Sequence, residues 1–152
     1  SAFEMHLGSA QLLTQLLAPG MKREKYGRII NIISTSVKIP IPGLGVSNTI
    51  RGAMASWAKT ISAELGPYGI TVNNVLPSTT MTDRLRLIIN SRAEKSGKSA
   101  AQIEDEMINE IPLRRLSEPD EVASLVAFLA SPAAGYISGT SIPVDGGKTG
   151  SI

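Results

Sequence analysis

Ile70-Thr71-Val72-Asn73-Asn74-Val75-Leu76, closed by Pro77, is the stretch on which the fold turns. Its β-branched residues read as a buried strand, and the proline that follows cannot extend a central ladder. Upstream lies a second run of the same kind, Arg28-Ile29-Ile30-Asn31-Ile32-Ile33. A short, nearly continuous apolar run of this type predicts a strand buried on both faces, as in a parallel sheet. Between the two runs, Ile50, Met54, Trp57, Ile61 and Leu65 recur at helical spacing and paint one face of an α-helix. Gly66-Pro67 reads as its stop, with the glycine as left-handed cap.

The rest of the chain extends this alternation in both directions. Residues 2–20 read as a helix with an apolar stripe of Leu12, Leu13, Leu16 and Leu17, ended by Pro19-Gly20. Pro40, Pro42, Gly43 and Gly45 mark a loop. Residues 82–111 carry two short helical patterns broken at Ser96-Gly97, and Ser99 with Gln102 forms a capping-box pair. Ser117 with Asp120 forms another, ahead of a helix through Val122, Leu125, Val126 and Leu129. A last strand over 141–144 ends in Asp145-Gly146-Gly147. Strands alternating with helices predict an α/β fold, with a parallel sheet and helices on both faces. Only three strands are visible, fewer than the roughly four to six usual for a sheet.

Composition narrows the function. With 15 basic and 13 acidic residues and no block of like charge, neither a nucleic-acid nor a membrane-surface role is expected. The absence of cysteine removes disulfides, thiolate-bound zinc and thiol catalysis. No apolar run approaches the roughly 20 residues of a membrane helix, and a cytoplasmic protein is expected. Several local motifs fail on their chemistry. Ser96-Gly97-Lys98-Ser99 lacks the earlier glycine of a phosphate loop, since Arg92 stands there. Asp145 alone is no metal site, and His6 is the sole histidine. A serine hydrolase would need a G-x-S-x-G elbow, which the sequence lacks.

Several stretches, taken in order and spacing, resemble the C-terminal half of the short-chain dehydrogenase/reductase family. They are Gly27 to Ser34, Ala63-Glu64-Leu65-Gly66, Gly69 to Pro77, Pro112-Leu113 through Glu118-Pro119-Asp120-Glu121-Val122-Ala123, Phe128-Leu129-Ala130-Ser131, and Ile137-Ser138-Gly139-Thr140 leading to Val144-Asp145-Gly146-Gly147. The resemblance implies a Rossmann-like sheet, NAD or NADP as cofactor, a small carbonyl or alcohol substrate, and a homo-oligomer. It also implies that residues 1–152 are one partial domain, the C-terminal portion of a longer protein, with 82–111 as a mobile helical lid. No glycine-rich turn for a pyrophosphate is present, so this chain alone is not expected to hold the dinucleotide.

Residue by residue, Ser34 falls at the family's substrate-binding serine. Where the family places its proton-transferring tyrosine this chain has Ser47, and where it places the lysine, Arg51. His6 stands at the supporting asparagine. Thr82 matches a threonine that contacts the nicotinamide amide, and Pro77, Ser78 and Thr80 lie beside it, with Ser78 where the family has glycine. The exchanges change the chemistry. A phenol ionises near pH 10 and a neighbouring cation lowers that further, whereas a serine hydroxyl is a far weaker acid. Arg51 is expected to hydrogen-bond the cofactor's ribose hydroxyls and supply positive charge, but as a permanent cation it relays no proton. Two readings follow: an oxidoreductase with an altered proton-transfer scheme, and a non-catalytic relative acting in assembly or binding.

Overall fold

A computed structural model describes residues 1–150; the last two positions of the expected 1–152 domain lie outside them. The strands are β1 (Gly27–Ile32), β2 (Ile70–Pro77) and β3 (Ser141–Val144). They form one parallel sheet in the order β1-β2-β3. The helices are α1 (Ser9–Glu24), α2 (Gly45–Leu65), α3 (Asp83–Ser96), α4 (Ala100–Asn109) and α5 (Pro119–Ala130), with a π-helical turn at Glu4–Gly8 ahead of α1. The expected α/β fold with helices on both faces is present.

Alternation along β2 divides the core into two layers. Ile70 and Val72 pack with Ala18 of α1 and with Ala58 and Leu65 of α2. Val75 points the other way, against Leu129 of α5 and Ala134. Polar residues fill the gaps in this central strand by bonding sideways. Asn74 accepts from the Asn31 amide at 3.0 Å and donates to Ser141 Oγ at 3.0 Å, so one side chain spans all three strands. Asn73, fully buried, donates to the Ile137 carbonyl at 2.8 Å and accepts from the Thr140 amide at 3.3 Å. Both asparagines thus meet the requirement that buried amides be paired.

Two close backbone approaches explain glycines in the sequence. Gly139 adopts φ +71°, and a Cβ there would sit 2.5 Å from Ser62 Oγ. Gly69 adopts φ +74°, and a Cβ would lie 2.4 Å from the Lys25 carbonyl oxygen. A side chain at either position meets both a disfavoured backbone region and a collision.

Several expectations need correction. The first helix does not stop at Pro19; it continues to Glu24 and ends on left-handed Lys25. Pro19 and Gln15 are both exposed, so the carbonyl the proline leaves unpaired is open to water. The leucine stripe does not face the core: Leu12, Leu13, Leu16 and Leu17 are each more than half exposed, and Thr14 and Ala18 are buried instead. On α2 the buried line runs through Ile50, Met54, Ala58, Ser62 and Leu65, with Trp57 and Ile61 at its margin. Gly66 is right-handed, and the left-handed residue is Gly69, after a 3-10 turn at Gly66–Tyr68. β1 is an edge strand with an exposed Ile32 rather than one buried on both faces. The cap of α5 is Glu118, not Ser117. The Glu121 carboxylate accepts from the Glu118 amide at 2.9 Å, while Ser117 Oγ donates to Thr80 Oγ1 at 2.8 Å.

Candidate active site

β1 delivers Ser34 one residue beyond the strand's last carbonyl bonds, in extended backbone (φ −172°). Its Oγ accepts from the Ser36 amide at 3.1 Å and starts a 3-10 turn at Thr35–Val37. Among the described residues the hydroxyl proton meets no acceptor. α2 brings Ser47 and Arg51 one helical turn apart on the same face. Arg51 Nε donates to Ser47 Oγ at 3.2 Å, and its Nη1 donates to the Ile33 carbonyl at 2.9 Å. The guanidinium is thereby tied to the C-terminal end of β1, beside Ser34. Burial, and then the like charge of Arg84, push the Arg51 guanidinium below its ordinary pKa.

His6, on the π-helical turn, joins Ser47 and Arg51 on the wall of a cavity of about 500 Å³, where Leu44, Val46 and Ile50 are apolar neighbours. Three of the four expected catalytic positions therefore share one cavity. Ser34 does not line it; it connects through Ile33 to the inner face of Arg51.

The expected cofactor positions form a second cleft. Pro77, Ser78, Thr80 and Thr82 line a groove of about 220 Å³ at the C-terminal end of β2, with Arg84, Leu85 and Ile88 opposite. This is the edge of an open α/β sheet where ligands bind. Thr82 caps α3, its Oγ1 accepting from the Leu85 amide at 3.3 Å. Thr80 Oγ1 accepts from Ser117 Oγ at 2.8 Å, which fixes its position across from the start of α5. Arg51 belongs to the first cavity and not to this groove.

Residues 82–111 form the helical hairpin α3-α4, with a core of its own: Ile89, Ile103 and Met107, joined by Ile111 and Leu116. The helices break at left-handed Gly97, and the Ser99–Gln102 capping box is formed in both directions. The two ends of the hairpin are stitched together, since Met81 N donates to Ser117 O at 2.8 Å and Ser117 N to Thr79 O at 3.2 Å.

Two residues have site roles that their types alone did not reveal. Asn48 donates to the Ile41 carbonyl at 2.9 Å and accepts from its amide at 3.4 Å, fixing the cavity-lining loop against α2. Its place beside Ser47 was the available signal. Arg84 reaches the site only through the tertiary fold, and no local pattern marks it.

The sheet thus ends in a region carrying a serine, a Ser-Arg pair and a threonine-lined groove. The family model described as enoyl-(acyl carrier protein) reductase matches residues 1–149, and the chain belongs to the short-chain dehydrogenase/reductase family. It is 36% identical over 132 residues to the NADPH-dependent reductase BacG of Bacillus subtilis (strain 168), covering 87% of this chain and 51% of that protein. It is 31% identical over 150 residues to the short-chain reductase protein NovJ of Streptomyces niveus, with 97% and 55% covered. Among solved structures, YwfH, an NADPH-dependent reductase involved in bacilysin biosynthesis, superposes with a TM-score of 0.88 at 33% identity, covering 94% of this chain and 55% of that one. The chain spans about half the length of the curated relatives it matches.

Proposed function

We propose that the protein to which this chain belongs is a cytoplasmic, NADPH-dependent oxidoreductase of small molecules that reduces a carbonyl group or oxidises an alcohol. The observation that carries this reading is the convergence of Ser47, Arg51 and His6 on one cavity, with Arg51 anchored to the end of the central sheet beside Ser34. The dinucleotide, when bound, supplies the hydride. The residues present suit its nicotinamide end: the Thr82 hydroxyl can still donate, and Arg51 Nη2 meets no acceptor among the described residues. NADPH is favoured over NADH by the printed names of BacG and YwfH.

The proton chemistry departs from a tyrosine-based scheme. Ser47 accepts a hydrogen bond from Arg51, which polarises its hydroxyl and directs the hydroxyl proton away from the guanidinium. Ser34 retains a free proton with which to orient a substrate oxygen. His6 lines the same cavity, and in this reading its imidazole exchanges a proton between Ser47 and solvent. Hairpin 82–111 acts as a lid whose stitched ends let it move as a unit. The exposed leucines of α1 form the contact between copies in a homo-oligomer.

The test uses the full-length protein with NADPH and a panel of ketones, aldehydes and conjugated enones. Turnover that falls on Ser47→Ala and on Arg51→Gln, with NADPH still bound, supports the scheme. Stoichiometric NADPH binding without turnover on any member supports the non-catalytic alternative, which the Ser47 and Arg51 exchanges favour.

A further inference from the structure

The loop that leads into α2 bends at Ile41-Pro42-Gly43-Leu44. Proline second, a left-handed glycine third (φ +79°) and a Leu44 amide that donates to the Ile41 carbonyl at 3.2 Å are the marks of a type II turn. Asn48, in the first turn of α2, grips this bend. Its Nδ2 donates to the Ile41 carbonyl at 2.9 Å and its Oδ1 accepts from the Ile41 amide at 3.4 Å. Its backbone amide donates to the Leu44 carbonyl at 2.9 Å. Among the described residues no other side chain hydrogen-bonds residues 40–44. Leu44 and Val46, on either side of Gly45, line the cavity that holds His6, Ser47 and Arg51, yet they are 48% and 72% exposed. Gly45 lines it too. It has no positive φ, and a Cβ there would meet nothing within 4 Å, so neither backbone nor packing demands glycine at this position. The space it leaves belongs to the cavity.

We infer that Asn48 is a positioning residue for substrate recognition: by gripping the bend at Ile41 it holds Leu44 in place, so that Leu44 and Val46 form an apolar rim for the hydrophobic substituent of a carbonyl compound. His6, Ser47 and Arg51 are the only polar side chains lining the cavity among the described residues, and the proton chemistry uses them. What remains for recognition is Leu44, Val46, Ile50 and the open space at Gly45. Apolar surface exposed around a few convergent polar groups suits a ligand whose carbon skeleton is hydrophobic. A sugar or polyol would turn its hydroxyls toward side chains that cannot pair with them, and unpaired hydroxyls are costly to bury. The rim depends on Asn48 because the Pro-Gly bend keeps its own shape without the amide but loses both bonds at Ile41 and can swing about Gly43. Treating the ligand as a substrate rests on the proposed reductase function; the apolar ligand site does not.

The experiment uses the full-length protein with NADPH, acetone and acetophenone, two ketones that differ in their hydrophobic substituent. Steady-state kinetics are measured on both, and acetophenone binding is followed on the Leu44 and Val46 methyl signals. The expected result is a lower KM for acetophenone than for acetone. Asn48→Ala should raise the acetophenone KM about tenfold, as for two methylene groups returned to water, and leave the acetone KM unmoved. A loss confined to binding leaves kcat within about twofold. Asn48→Asp should act in the same way, since it keeps the acceptor but sets a carboxylate against the Ile41 carbonyl. Gly45→Leu, which fills the open space and favours the helix, should raise the KM for acetophenone and not for acetone. An Asn48→Ala variant that raises both KM values equally, or that lowers kcat together with melting temperature, overturns the inference and leaves Asn48 a plain structural tie. Turnover of both ketones with KM values unmoved by Asn48→Ala and Gly45→Leu refutes it too, and leaves the reductase reading standing. Saturable acetophenone shifts at Leu44 and Val46 that weaken in Asn48→Ala, without turnover of any carbonyl compound, would do the reverse.

Discussion

Asn73→Ala tests how the sheet holds its last strand. The wild-type side chain is fully buried and bonds two backbone groups, the Ile137 carbonyl and the Thr140 amide, in the turn that enters β3. Truncation removes two hydrogen bonds and strands two backbone groups, each costing about 1–3 kcal/mol if water cannot reach it. Ile137 and Thr140 are half-buried, which places the total at about 2–4 kcal/mol rather than at the upper limit. Against a typical domain stability of about 5–15 kcal/mol this is a large share. Asn74→Ala is the internal comparison: its partners, Asn31 and Ser141, are half-buried side chains that can turn to solvent, so its cost should be about 1–2 kcal/mol. Urea unfolding followed by circular dichroism gives both values, and hydrogen exchange locates the loss. Asn73→Ala should speed exchange in β3 and spare the β1 pairing. Equal destabilisation by the two variants, or less than about 1 kcal/mol for Asn73→Ala, would refute the argument that backbone anchoring dominates.

Further outcomes follow from the site and the surface. If the proposed reductase activity holds, Ser34→Ala in the full-length protein should fold normally and lose roughly tenfold to a thousandfold in kcat, as for other single positioned donors; unaltered turnover would reduce Ser34 to the cap of its 3-10 turn. The Arg115 bond, and next the Glu118 amide, lower the Glu121 carboxyl to about 2. A depressed folded-state pKa stabilises above the ordinary carboxylate range, and that contribution disappears as pH falls toward about 2. An NMR titration should show it, with Arg115→Gln moving the midpoint back toward the ordinary carboxylate range while the Glu118 amide still holds it below. Calorimetric titration of the 152-residue chain with NADPH should show no micromolar site, because one accessible guanidinium supplies little of the roughly 8 kcal/mol required. Sedimentation should detect self-association that Leu12→Glu with Leu16→Glu abolishes, since these side chains are exposed on α1.

The sheet was legible because its signal is local and strong. β2 and β3 appear where their β-branched residues and flanking prolines and glycines put them, and Gly97 breaks the hairpin as read. What misled was periodicity taken as burial. The leucines of α1 recur at helical spacing yet lie outside the core, because an apolar stripe records that a helix face is covered without recording by what. Caps shifted by one or three residues for a related reason: Ser117 and Gly66 have the right chemistry, but Thr80 claims the former and a 3-10 turn postpones the left-handed residue to Gly69. At the site, Ser47 and Arg51 were legible as an i, i+4 pair, whereas Arg84 arrives from a different element more than thirty residues on. Such encounters depend on tertiary placement, which no spacing encodes.

The π-helical turn at Glu4–Gly8 makes the presentation of His6 a matter of phase. A π-turn accommodates one residue more than an α-turn, so everything on its N-terminal side is rotated by about 100° relative to the helix that follows. α1 keeps Thr14 and Ala18 on the sheet while His6 is turned to the cavity beside Ser47. Deleting Leu7 or Gly8, between His6 and α1, would let the segment relax to ordinary winding, leave α1 seated, and swing the imidazole off the cavity wall. A site of this kind is gained or lost by insertion and deletion, with no exchange of side chains.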